Sequence, residues 1–170
     1  GGSEIESGIR NAKVKVWGIQ TQELLHNFAH NSAEVVSVAF SPDGTQLLSG
    51  GGIEDNLTTS EEAILWDLST EEKIHTFQEG WSRAFAVFCP DGSQILVTDF
   101  YKAHLYHAQT GEFIRTYNPN EGMANVHSVA FSADGSRVVI GGFASDSLCL
   151  AMVFEADSGT QIPTIPVNNA

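Results

Sequence analysis

Apolar and polar positions alternate along Val35-Val36-Ser37-Val38-Ala39-Phe40, with Val36, Val38 and Phe40 on one face and Val35, Ser37 and Ala39 on the other. That is the period of a β-strand. Ser41-Pro42-Asp43-Gly44 follows, with Ser at the first corner, Pro at the second with its φ preset and Gly at the fourth. This is the signature of a type I turn between two strands, so the stretch predicts a β-hairpin. Beyond Gly52 an extended polar loop leads to another apolar run ending in Trp66-Asp67. The longest apolar run in the chain, Leu148 to Phe154, has the length of a strand and reads as one buried on both faces.

The same hairpin recurs. Cys89-Pro90-Asp91-Gly92 and Ser132-Ala133-Asp134-Gly135 repeat the turn, each preceded by a run ending in Phe and followed by a second apolar run. A second block repeats in step with them, starting at Val14, Ala63, Ala103 and Ala151. It keeps an apolar residue (Val16, Leu65, Leu105, Val153), then an aromatic (Trp17, Trp66, Tyr106, Phe154). A turn hydroxyl follows (Thr21, Thr70, Thr110, Ser158), then an apolar residue (Leu25, Ile74, Ile114, Ile162). A period in the forties with four short strands per unit predicts an all-β chain of β-propeller blades, each of four antiparallel strands.

These residues carry a resemblance to the WD-repeat (Trp-Asp repeat) β-propeller family. Ala29-His30 stands where that family has Gly-His, the segment Val36 to Gly44 is similar to its inner hairpin, and Trp66-Asp67 is the dipeptide that names it. The resemblance covers nearly the whole chain. It departs at the dipeptide's second residue, which is Gly18, His107 and Glu155 in the other copies, and at His30, whose counterparts are Gln78 and Glu121.

The resemblance divides the chain into a partial blade over 1–28 and complete blades over 35–77, 83–117 and 126–165. Residues 3–12 read as a polar loop, and Gly1-Gly2 as the end of a second strand, because Trp17 follows Gly2 at the distance at which Trp66 follows Gly51. The chain then stops just before a strand as it begins just after one. The expectation is an open arc of a larger propeller, whose unpaired blade edges offer a route to self-association.

The family implies that His30, Ser49, Asp55 and Trp66 form a structural hydrogen-bond tetrad within the first complete blade. It also implies that partners sit on the loops entering the inner strands and linking the second strand to the third. Two such loops contribute Trp81, Arg83 and Met123, residue types suited to interface contacts. A second reading has Trp81 folded back over its own blade, since large aromatics bury.

Composition narrows the function. The 170 residues are 42% hydrophobic and include 8 basic and 21 acidic side chains, a net charge of −13. Such a chain repels phosphate backbones and anionic membrane surfaces, so neither nucleic acid nor membrane is an expected partner. Two scattered cysteines suit a reducing compartment, and a cytoplasmic location is expected. Glu54, Asp55, Glu61 and Glu62 share a loop that lacks the alternate spacing and the Gly of a calcium site, and reads as solvated. His104 and His107 point to opposite faces of one strand, and His26, His75 and His127 read as isolated, so neither a metal nor another cofactor is expected. Gly-x-Ser-x-Gly, His-Glu-x-x-His, a phosphate-cradling loop and paired CxxC are missing from the sequence. The expected function is a non-catalytic scaffold for protein or peptide partners. The alternative is a propeller segment supporting a catalytic or signalling domain elsewhere in a longer chain.

Overall fold

The computed structural model describes residues 2–6, 9–30, 32, 34–52, 63–77, 83–119, 123–144 and 149–163. They form strands and turns in four antiparallel sheets. The first sheet has three strands, β1 (Gly2–Glu6), β2 (Ile9–Trp17) and β3 (Leu24–Ala29). The second has four: β4 (Glu34–Phe40), β5 (Gln46–Gly52), β6 (Ala63–Asp67) and β7 (Lys73–Phe77). The third holds β8 (Ala86–Phe88), β9 (Gln94–Thr98), β10 (Ala103–His107) and β11 (Phe113–Tyr117). The fourth holds β12 (Met123–Phe131), β13 (Arg137–Ala144), β14 (Cys149–Glu155) and β15 (Gln161–Ile162). Within each sheet the strands lie side by side in chain order, the meander of a propeller blade.

Two expectations are corrected here. The polar stretch after Gly2 is a strand: Gly2 to Glu6 pairs with Ile9 to Lys13, because a backbone ladder does not require apolar side chains. Strand β14 is buried on one face only. Met152 and Phe154 are buried against the third sheet, whereas Ala151 is exposed and Val153 half-buried.

The turns follow from their residues. Gly44 N donates to Ser41 O at 2.9 Å, and the same bond closes Cys89 to Gly92 and Ser132 to Gly135. Gly44, Gly92 and Gly135 have φ of 72°, 75° and 71°, a conformation that costs glycine little and other residues a degree of strain. Asp43 fixes its turn by accepting from Ser41 Oγ at 2.6 Å and Thr45 N at 3.0 Å, and Asp134 does so from Ser132 and Ser136. These bonds hold both carboxyls below the usual carboxylate range, Asp134 at about 2.

Sheets stack face to face, and an aromatic pair marks each junction. Phe28 on β3 meets Trp66 on β6 at 4.9 Å between ring centroids, Phe77 on β7 meets Tyr106 on β10 at 4.8 Å, and Tyr117 on β11 meets Phe154 on β14 at 5.7 Å. Around each pair lies an apolar cluster drawn from both sheets, such as Leu48, Ala63 and Leu65 with Ile95 and Val97. Tyr117 adds a polar tie, its hydroxyl donating to Ala156 O at 2.7 Å, and burial pushes that phenol up to about 12.

A second set of ties runs along the outer strands and corrects the view of the histidines as isolated. His26 Nδ1 lies 2.9 Å from Glu71 Oε1 and His75 Nε2 lies 3.0 Å from Gln109 O, each reaching the outer turn of the next sheet. Arg115 occupies the same column on β11 and lies against Gly159 of the fourth sheet's turn. The partners stand 45 and 34 residues away, so their meeting depends on how the sheets stack.

The face of the first sheet opposite this stack is uncovered among the described residues. Trp17 is 55% exposed, whereas Trp66, its counterpart one sheet on, is 4% exposed. Val38 and Phe40 are exposed for a related reason. They face the first sheet, which has no described strand opposite them, while Val38's counterparts Ala86 and Val129 are buried and Phe40's, Phe88 and Phe131, half-buried. Truncation in this aromatic column is therefore expected to depend on position. Trp66→Ala should cost about 3–5 kcal/mol of unfolding free energy, and Trp17→Ala no more than about 0.5 kcal/mol. Urea unfolding of both variants measures this, and equal losses would contradict the assignment of the faces.

Candidate functional site

The strand order places the loops entering β4, β8 and β12 at the same end as the links between β5 and β6, β9 and β10, and β13 and β14. The sequence-selected candidates belong to this end. Arg83 is described: its Nε lies 2.7 Å from Glu34 Oε1, an ion pair whose alignment falls short of a hydrogen bond. Both side chains are substantially exposed, which keeps the pair's contribution below about 1 kcal/mol. Met123 opens β12, with its backbone paired to Ala144. Trp81 lies outside the described residues, as does Asp55.

Among the described residues at this end, the turn Asp99-Phe100-Tyr101-Lys102 between β9 and β10 is held by several hydrogen bonds. Asp99 Oδ1 accepts from Tyr101 N and Lys102 N, both at 2.6 Å, and Asp99 N donates to Lys102 O at 3.0 Å. Asp99 Oδ2 lies 3.0 Å from His104 Nε2, and His104 Nδ1 lies 3.1 Å from Thr116 Oγ1 on β11. One carboxylate thus fixes the turn, and one imidazole ties that carboxylate across the sheet. Although half-buried, the Asp99 carboxyl is held below the ordinary carboxylate range by His104 and the two amides. His104 is correctly placed on the face opposite His107, but it has partners that the spacing of the two histidines could not reveal.

The same turn presents aromatic surface. Phe100 is 40% exposed and Tyr101 57%, with their rings edge-to-face at 4.9 Å between centroids. Phe100 O accepts from Val126 N at 2.9 Å, which sets the turn beside β12 of the next sheet. There His127 and Phe143, both exposed, make a second edge-to-face pair at 5.0 Å. The sequence reading missed these four residues. The available signal was a pair of aromatics between an Asp and a Lys in a link too short to fold over and bury them.

Of the tetrad positions Asp55 lies outside the described residues, and the other three make the following contacts. Trp66 Nε1 donates to Ser49 Oγ at 2.9 Å, which ties β6 to β5. His30 is fully buried, but its Nδ1 pairs with Ser32 Oγ at 2.8 Å, and Ser32 in turn donates to Glu34 O. His30 Nε2 faces the Ser49 backbone without reaching hydrogen-bond geometry. Gly50 and Gly51 make this packing feasible. A Cβ on Gly51 would lie 2.4 Å from Ser32 Oγ and 2.6 Å from His30 Cε1, and one on Gly50 would lie 1.9 Å from Ala84 O. These glycines serve close approach of neighbouring chain, beyond the needs of a strand end.

At the opposite end, grooves between neighbouring turns are lined by Asp91 with Asp43 and by Asp91 with Asp134 and Asp157. Asp43, Asp91 and Asp134 already accept from their own turns. Among the described residues no three His, Cys, Asp or Glu converge as metal ligands would.

Burial lowers His30 to about 4, so it folds in its neutral form. Its contribution is complete above the unfolded value near 6.5, declines as pH falls and is lost by about pH 4, because the unfolded chain takes up the proton first. Between pH 7 and pH 4.5 the parent chain should lose about 2–3 kcal/mol more stability than His30→Asn does. Urea unfolding at the two pH values measures the difference, and parallel losses would contradict a buried neutral His30.

With this geometry established, known proteins give the chain its context. The family described as "WD domain, G-beta repeat" matches residues 22–57, a segment containing His30, the first turn and strand β5. The human (Homo sapiens) "WD repeat and SOCS box-containing protein 1" is 26% identical over 102 residues, 58% of this chain and 23% of that protein. The "Cross-pathway control WD-repeat protein 2" of Flammulina velutipes is 25% identical over 142 residues, 79% of this chain and 42% of that protein. The chain therefore spans between about a quarter and two fifths of the length of these relatives. Among solved structures, "Kuenenia stuttgartiensis Hydrazine Synthase" superposes with a TM-score of 0.76 at 18% identity, over 92% of this chain and 43% of that one, a likeness of fold. Repeated four-stranded sheets with aromatic junctions have the form of β-propeller blades, and the repeat matched over residues 22–57 and the relatives named as WD-repeat proteins make the chain similar to that family.

Proposed function

We propose that the chain acts as a non-catalytic scaffold that binds protein partners through the end of its sheets carrying the β9–β10 link. The observation that carries this reading is the exposed Phe100–Tyr101 pair on a turn fixed by Asp99. The exposed parts of these rings gain nothing for folding, whereas at an interface they bury area with little further loss of freedom. The polar groups of the sheets support the same view. Ser49, Trp66, His104 and Asp99 are engaged in bonds that brace strands and turns.

A second reading keeps the scaffold and attaches it to another domain. The human relative is named for a WD repeat and a SOCS box together, and this chain matches 23% of its length. Under that reading the sheets recognise the partner, and a further domain acts on it or signals from it.

The test is capture of partners by the full-length protein, comparing the parent, Phe100→Ser/Tyr101→Ser, and Ile19→Ser at the opposite end. The paired variant should weaken capture by about 2 kcal/mol or more, and Ile19→Ser should leave it unchanged. Capture unaffected by the paired variant would overturn the proposed surface.

A further inference from the structure

We infer that Thr160 is a phosphorylation site and that its phosphoryl group is held by Arg115 of the neighbouring sheet. The first argument comes from the repeat. The outer turns of the four sheets end on Glu23, Glu72, Glu112 and Thr160. These residues are placed alike. The carbonyl of each accepts from the amide five residues before it, on Gly18, Asp67, His107 or Glu155. The amide of each donates to the turn hydroxyl two residues before it, at 3.3, 3.4, 3.3 and 3.1 Å. Three of these corners carry a carboxylate and the fourth a hydroxyl, which is exposed and so open to a modifying enzyme. A phosphoryl group supplies the negative charge there, about −1.5 to −2 at neutral pH.

The second argument is an arginine without an acceptor. On the outer strands His26, His75 and Arg115 stand in one column, opposite Val16, Leu65 and Leu105. His26 reaches the Glu71 carboxylate of the next sheet's turn, and His75 the Gln109 carbonyl. Arg115 meets a turn that has Gly159 where Glu71 stands, and its guanidinium makes no hydrogen bond or ion pair among the described residues. Glu155 and Asp157, the carboxylates of that turn, are exposed and not bonded to it.

Geometry joins the two. A Cβ on Gly159 would lie 3.6 Å from Arg115 Cδ and 3.9 Å from its Nη1, so the guanidinium lies against the residue next to Thr160. Consecutive α carbons are about 3.8 Å apart, within the span of a phosphothreonine and an arginine. Ser158 Oγ donates to Thr160 Oγ1 at 2.9 Å, as Thr110 Oγ1 donates to Glu112 Oε2. A phosphoryl group on Oγ1 gains a planar guanidinium able to bond two of its oxygens. In the transfer, the Oγ1–P bond forms as the terminal phosphoryl group of a nucleoside triphosphate leaves its bridging oxygen. The hydroxyl proton passes to the base of a protein kinase, and the nucleoside diphosphate departs. The product ties the third sheet to the fourth across the rim, where histidine ties the earlier junctions.

The experiment uses the full chain with phosphothreonine encoded at position 160, in the parent, Arg115→Gln and Arg115→Lys. Phosphorus NMR titration should place the second phosphate pKa at least about half a unit lower in the parent than in Arg115→Gln, with Arg115→Lys between them. Each protein is also melted with and without the modification. Phosphorylation should raise the thermal midpoint by about 2 °C or more in the parent and not in Arg115→Gln. Equal pKa values and equal changes in midpoint in those two proteins would overturn the seat. Mass spectrometry of the protein isolated from its own cells should find phosphate on Thr160. Phosphate confined to other residues, or none, would overturn the modification.

Discussion

The stack depends on one contact repeated three times: an aromatic on the outer strand of one sheet against an aromatic on the third strand of the next. Phe28 with Trp66, Phe77 with Tyr106, and Tyr117 with Phe154 occupy equivalent columns and sit within the three apolar clusters. A single four-stranded sheet cannot bury both of its faces, so each becomes stable only against its neighbours. The edge-to-face and tilted geometries add about 0.5–1.5 kcal/mol per pair beyond the area buried. The outer ties from His26, His75 and Arg115 follow the same column logic one layer farther out.

Once the sheets are fixed by these contacts, their two ends differ. At one end each hairpin turn satisfies its own Asp through Ser or Thr hydroxyls and backbone amides, which leaves the carboxylates committed locally. At the other end the chain crosses between sheets, and the geometry there is set by contacts that only the assembled stack provides. Ala84 N meets Gly51 O, Val126 N meets Phe100 O, and Ser37 Oγ accepts from Ala86 N. The proposed partner surface lies at this second end, where its turn is anchored from within its sheet and from the sheet beside it.

The repeat architecture was legible because it is written locally. Pro and Gly at set corners dictate the turns, and period-two runs dictate the strands. Trp66 and Ser49 sit on periodic strands whose neighbours the repeat defines, and their side chains bond to each other. What escaped the sequence was set by packing between sheets. His30 turned to Ser32, a hydroxyl two residues along, because the neighbouring chain crowds it against Gly51. His75 found Gln109 only because two sheets stack. The polar β1 gave no periodic signal, since its place is fixed by the ladder to β2. Phe100 and Tyr101 escaped because aromatic residues beside a strand read as core until the turn that exposes them is seen.

The central claim is that paired aromatics couple adjacent sheets into one cooperative unit. A double-mutant cycle on Phe77 and Tyr106, with each replaced by Leu singly and together and unfolding followed in urea, measures that coupling directly. The account predicts a coupling of about 0.5–1.5 kcal/mol and a single unfolding transition in all four proteins. Additive losses, or a transition that splits in the single variants, would show that the sheets are held together by something other than these rings.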